Sequence, residues 1–205
     1  MQRLRQLKNP PAFSLIELMV SVALMAILSL MLYGVFSVGH GRSQRQIQTQ
    51  LCADNLQKIF LALQIYANDF RKFPQVASAQ SSEDVLNLLV PKYTADTAVF
   101  ICPGEHDLSI PSEASFSQSK ISYAYYMGRG TNALQEILMS DRQINSRSKK
   151  VGEQVFSLEG TPPGNNHQKY GGNFLFTDGS VQAIPPLAPF SLAFSNGVVL
   201  LNPKP

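Results

Sequence analysis

The sequence predicts an α+β fold in which one long N-terminal helix, half in a membrane and half in solution, lies across a small antiparallel β-sheet. Three observations carry this. Phe13 to Phe36 is a run of 24 residues, almost wholly apolar, whose only charge is Glu17. Apolar residues then recur at helical spacing as far as Phe70, and the C-terminal third alternates around Asp178-Gly179 and Asn196-Gly197.

The apolar run comes first. At about 1.5 Å of rise per residue, a helix of that length covers roughly 36 Å, enough to cross a hydrocarbon core of about 30 Å. It is too long for the apolar core of a cleavable secretory signal, and no small-x-small cleavage site follows it. A plain anchor has no use for a carboxylate near its end, because a charge in the bilayer costs at least about 2.5 kcal/mol. Glu17 therefore needs a partner in the membrane.

Gly39-His40-Gly41 follows as a place where a helix can loosen. Beyond it, Ile47, Leu51, Leu56, Ile59, Phe60, Leu63, Tyr66, Ala67 and Phe70 form a stripe of helical period, backed by a glutamine-rich polar face. The helix is expected over 42–71, because Pro74 restricts Phe73 to extended geometry. Ser81 to Asp84 opens a short helix with a hydroxyl N-cap and acids in its first turn, and Pro91 marks its end. Val99-Phe100-Ile101 is expected to be extended, and residues 104–119 to form a surface loop. Ile121 to Met127 (ISYAYYM) is a strand, and Val155 to Leu158 a strand candidate. Thr131 to Lys150 is ambiguous between a helical turn at Leu134, Ile137 and Leu138 and a polar connector. Two hairpins close the chain, around Asp178-Gly179 and Asn196-Gly197.

Charge and composition exclude several functions. The net charge of +3 is carried by Arg3, Arg5 and Lys8, leaving 14 basic against 14 acidic residues beyond them, which argues against nucleic-acid binding. The same leader cations hold the N-terminus on the cytoplasmic side. Cys52 and Cys102 are the two cysteines, without a CxxC, which excludes a zinc knuckle or redox motif of that spacing. An oxidising compartment permits a Cys52–Cys102 disulfide, and two unpaired buried thiols are the alternative. His40, His106 and His167 fall in unrelated segments, with no G-x-S-x-G elbow, P-loop or dinucleotide fingerprint, so no enzymatic reaction is expected. Glu159, His167 and Asp178 are the candidates for a polar or metal site if the Val155 segment lies beside the first hairpin. Ca²⁺ is the cofactor that such oxygen-rich loops would hold, and the lack of a dense Asp cluster argues against it. Asp178-Gly179 is expected to be a structural turn.

A basic leader, a small residue and then Phe13-Ser14-Leu15-Ile16-Glu17 together resemble the type IV prepilin signature shared by pilins and type II secretion pseudopilins. The resemblance implies cleavage by a prepilin peptidase between Ala12 and Phe13 and methylation of the Phe13 amine. It also implies that Glu17 pairs with that amine on a neighbouring subunit. The family has Gly before the cut where this chain has Ala12, the next smallest side chain. A pilin-like organisation follows: leader 1–12, transmembrane and assembly helix 13–36, and a periplasmic domain 37–205 whose helix packs on C-terminal hairpins. The implied role is a filament subunit, anchored once in the bacterial inner membrane and drawn into a pseudopilus or type IV-like filament by an assembly platform and its ATPase. A minor pilin or surface binding protein, whose C-terminal domain grips substrate, DNA or a surface, is the alternative. Cys52-Ala-Asp-Asn55, Phe100-Ile101-Cys102-Pro103 and Gly171-Gly172-Asn173 through Asp178-Gly179 are further similar to pseudopilin-like proteins abundant in Planctomycetes and Verrucomicrobia. In those proteins nine residues separate a His from Asp-Gly, whereas ten residues separate His167 from Asp178 here.

Overall fold

The computed structural model describes residues 14–105, 108–133, 135–195 and 197–205, with the backbone alone described for 35–45 and 113–115. Ala12, Phe13, His106, Leu134 and Asn196 lie outside the described residues. The chain divides into two compact units, Met1–Gln44 and Arg45–Pro205.

Helix α1 spans Leu15–Phe70, and helical backbone runs through Gly39-His40-Gly41. It ends as the sequence requires. Arg71 turns to the left-handed region (φ 58°) while its N–H still bonds the Ala67 carbonyl, and Pro74 follows. Helix α2, Ser82–Leu86, begins at Ser81. Asp84 reaches back to accept the backbone N–H groups of Gln80 and Ser81 (2.9 and 3.0 Å), which also holds its carboxyl below the usual range. Buried Glu83 accepts the N–H of Ile121 (3.2 Å) and of Lys204 (3.1 Å), fastening the C-terminal tail to α2.

The sheet has five antiparallel strands: β1 Tyr123–Met127, β2 Ile137–Asp141, β3 Gly172–Phe176, β4 Val181–Ile184 and β5 Val199–Leu201, in the order β4-β3-β2-β1-β5. The fold class is the α+β arrangement expected. Cys52, Leu56, Ile59, Leu63 and Ala67 form the buried stripe of α1, and they share a core with Tyr123, Tyr125, Met139, Leu175 and Leu201 on one sheet face. The other face, including Tyr126 and Phe174, is covered by Val155, Phe156, Ala188 and Leu192. Strand alternation sends Tyr123 and Tyr125 to the helix and Tyr126 away from it. All three are core residues and none offers a ligand platform.

Four expectations are corrected. Val99 and Phe100 lie in a 3₁₀ turn, Thr97–Phe100, because Asp96 caps it by accepting the Ala98 N–H (3.1 Å). Residues 104–119 are not wholly a surface loop, since Glu113–Gln118 is a 3₁₀ helix that buries Phe116. Val155 and Phe156 are not a strand, although Gln154 bridges to Leu187; they cover the far face of the sheet, with the Phe156 and Phe174 ring centroids 5.8 Å apart. Among the described residues the second hairpin does not form. β5 pairs with β1, matching Tyr125 to Leu201, while Leu192 on the other side of the turn bridges to Lys149. An edge beside an aromatic strand wins over the local turn.

The first hairpin stands, with a different turn. Gly179 has φ +84° and Asp178 is not among the residues of positive φ. The Gly179 N–H bonds the Phe176 carbonyl (3.0 Å) and the Phe176 N–H bonds the Ser180 carbonyl (2.9 Å), as in a three-residue loop closed by a glycine bulge. A Cβ on Gly179 would stand 2.5 Å from the Phe60 ring of α1. Gly179→Val should therefore lower stability by about 1–3 kcal/mol or more in denaturant unfolding. Asp178→Asn, which keeps the turn's hydrogen-bonding oxygen, should leave the midpoint nearly unmoved. Equal losses from both would show that the carboxylate's charge, and not the backbone, holds the turn.

Candidate functional site

Among the described residues, two places carry chemistry. The first is the start of α1. Leu15–Gly34 has a mean hydropathy of 2.5, and its side chains are exposed throughout. Its two inner hydroxyls are satisfied within the helix, Ser21 donating to the Leu18 carbonyl and Ser29 to the Met25 carbonyl (both 2.8 Å). Hydroxyls bonded in this way do not oppose insertion into lipid. The Ser14 carbonyl accepts the N–H groups of Glu17 and Leu18 (3.0 and 3.2 Å), which starts the helix. Glu17 is thus exposed on the first turn of a membrane-length apolar helix.

The second place is buried between α1 and the sheet. Cys52, Cys102, Asp141 and His167 converge there, with their ligand-type atoms all within 4.8 Å of one another. Each comes from a different part of the fold. Cys52 lies on the buried stripe of α1. Cys102 follows the Thr97–Phe100 turn, where Asn55 of α1 donates to the Ile101 carbonyl (3.0 Å) and Ser122 Oγ accepts the Cys102 N–H (2.8 Å). Asp141 ends β2, paired with Tyr123 and on the same face of the sheet. His167 sits in the loop leading to β3.

The two sulfurs are 2.7 Å apart, and no bond joins them. Cys52 Sγ also lies 3.1 Å from Tyr123 Oη and 3.3 Å from Asp141 Oδ1, and His167 Nε2 is 3.6 Å from Cys102 Sγ. Asp141 has no exposed surface, and its Oδ2 lies 3.2 Å from His167 Nε2. Its oxygens also accept Asn166 Nδ2 (2.8 Å) and the Asn173 N–H (2.7 Å). Burial disfavours both charges, yet the pair prevails. The imidazole and these hydrogen bonds hold the Asp141 carboxyl below its ordinary value, and Asp141 holds His167 up at about 10. At neutral pH the two form a buried ion pair. Burial pushes the Cys52 thiol up. Burial also acts on Cys102, but Cys52 and His167 outweigh it and hold that thiol below its usual range.

His167 is therefore not grouped with Glu159 and Asp178. Glu159 is exposed, and Asp178 is exposed on its turn, bonded to the N–H and hydroxyl of Ser180 (2.9 and 2.6 Å). The Val155 segment packs against the first hairpin on the far face of the sheet, while His167 meets Asp141. Asp141 and Asn166 had no signal in the sequence. A bulge between Ile137 and Met139 breaks the alternation of β2, and cover on both sheet faces leaves no polar side to betray a strand.

The comparisons with known proteins bear on the first place alone. Residues 8–33 match the model of the prokaryotic N-terminal methylation motif. That match supports a type IV pilin-like precursor, and it runs from Lys8 through most of the membrane-length helix. No curated protein and no solved structure matches the chain.

Removing one partner of the buried pair should be costly. Asp141→Ala leaves the His167 cation without its counter-charge and should lower stability by about 3–5 kcal/mol, read from urea unfolding of the reduced chain. Glu159→Ala should change it little. Comparable effects would mean that the Asp141 pair holds nothing together.

Proposed function

We propose that this chain is a pilin-like filament subunit, carried into the inner membrane by residues 13–36 with its second unit on the periplasmic side. The observation that carries the reading is the methylation-motif match at residues 8–33 on a helix with a single acid in its first turns. A prepilin peptidase cuts between Ala12 and Phe13 and methylates the new amine. Glu17 then meets the Phe13 amine of a neighbour, so that each subunit's charge is satisfied in lipid only upon assembly. Packed apolar helices form the filament interior, and the Arg45–Pro205 units coat it. An assembly platform and its ATPase supply the work, since the chain has no nucleotide-binding motif of its own.

Intact-mass analysis of membrane-extracted protein should show a chain that begins at Phe13 and carries one methyl group. A retained Met1 leader in assembled material, or an N-terminus far inside the apolar run, would end this reading. Glu17→Ala should still insert, while its incorporation into crosslinked oligomers falls more than about tenfold, because the neighbour's amine is left unpaired in lipid. Oligomers matching wild type would remove the charge pair from the account.

A further inference from the structure

We propose that Cys52, Cys102, Asp141 and His167 bind one zinc ion, as a structural site that fastens α1 to the sheet. The inference stands on the geometry of these side chains and is independent of the filament reading. Four donors of three kinds converge: two sulfurs, an imidazole Nε2 and a carboxylate, all within 4.8 Å of one another and all buried. A mixed thiolate, imidazole and carboxylate set in a closed, four-donor arrangement is a tetrahedral zinc environment. Calcium and magnesium demand oxygen ligands, and Asp141 is the one carboxylate in the cluster.

The surrounding groups are arranged as supports for ligands. Asp141 is oriented by Asn166 Nδ2 and the Asn173 N–H. The Gly104 N–H donates to Cys102 Sγ (3.4 Å), and Tyr123 Oη is placed beside Cys52 Sγ (3.1 Å), where it can donate to a thiolate. Gly104 has no substitute there, since a Cβ would stand 2.1 Å from the Asn166 carbonyl oxygen. A polar cavity of about 80 Å³, lined in part by Gln48, Gly104, Asn166 and His167, lies on the His167 side of the cluster. A disulfide would use the sulfurs alone. It would leave the histidine and the carboxylate paired only with each other, and its sulfurs accept hydrogen bonds poorly.

Loading has definite consequences. Zn–S bonds of about 2.3 Å hold two sulfurs of a tetrahedron about 3.8 Å apart, so the thiols move apart by about 1 Å from their present contact. The ion replaces the protons of both thiols and of the imidazolium, which pass to solvent, and Asp141 exchanges its histidine partner for the metal.

The test uses the full chain in detergent. Protein purified without chelator should contain one zinc per chain by elemental mass spectrometry. After chelation and reduction, cobalt(II) added alone should give the thiolate charge-transfer and tetrahedral ligand-field absorptions at one equivalent, and zinc should displace it. His167→Gln and Asp141→Asn, checked for fold by circular dichroism, should weaken cobalt binding by at least about tenfold. A chain isolated without zinc and lighter by two hydrogens would be a disulfide and would overturn the proposal. So would a reduced wild-type chain that gives no thiolate–cobalt absorption, or folded variants that bind as wild type does. Should both variants misfold, the wild-type spectrum decides.

Discussion

Asp141 carries a full negative charge at a position with no exposed surface, and much of the second unit is arranged to satisfy it. A buried carboxylate is tolerated only where cations and donors surround it. Here they come from the His167 side chain and the Asn173 N–H on Oδ2 and from the Asn166 amide on Oδ1, with the Cys52 thiol of α1 beside that same Oδ1. The irregular chain between β2 and β3 is thereby tied to the sheet. Asn166 extends the tie, since its amide also donates to the Ser122 carbonyl at the head of β1 (2.8 Å).

The apolar packing and this polar knot divide the labour. Burial of Leu56, Ile59 and Leu63 against Tyr125, Met139 and Leu175 supplies the non-directional attraction between helix and sheet. Such packing fixes register only loosely. The contacts of Cys52 with Cys102, Tyr123 and Asp141, and of Asn55 with the Ile101 carbonyl, set where along α1 the sheet sits.

The legible parts of the sequence were those governed by local period. The α1 stripe, the end at Arg71, the strand at Tyr123–Met127 and the hairpin at Asp178-Gly179 follow from spacing, proline and glycine. Long-range pairing is not written locally. Val199–Leu201 reads as a hairpin partner of its neighbour, and it pairs instead with β1, some 70 residues away in sequence. The buried site is half legible: Cys52, Cys102 and His167 stand out in the sequence, while Asp141, the acid that His167 meets, does not. Metal motifs are recognised by close ligand spacing, and these donors are scattered from residue 52 to residue 167, joined only by the tertiary fold. Asp141 hides at the end of a bulged strand buried on both faces.

Hydrogen-exchange mass spectrometry of the reduced chain, wild type against Asp141→Asn, tests most directly whether that carboxylate unites the second unit. A shared knot predicts that protection falls together in peptides from α1 around Cys52, from the Ile101–Ser122 segment and from the Asn166–Asn173 loop. Faster exchange confined to the Asn166–Asn173 loop, with α1 and the Ile101 segment unchanged, would contradict it and leave apolar packing as the sole fastening of the helix to the sheet.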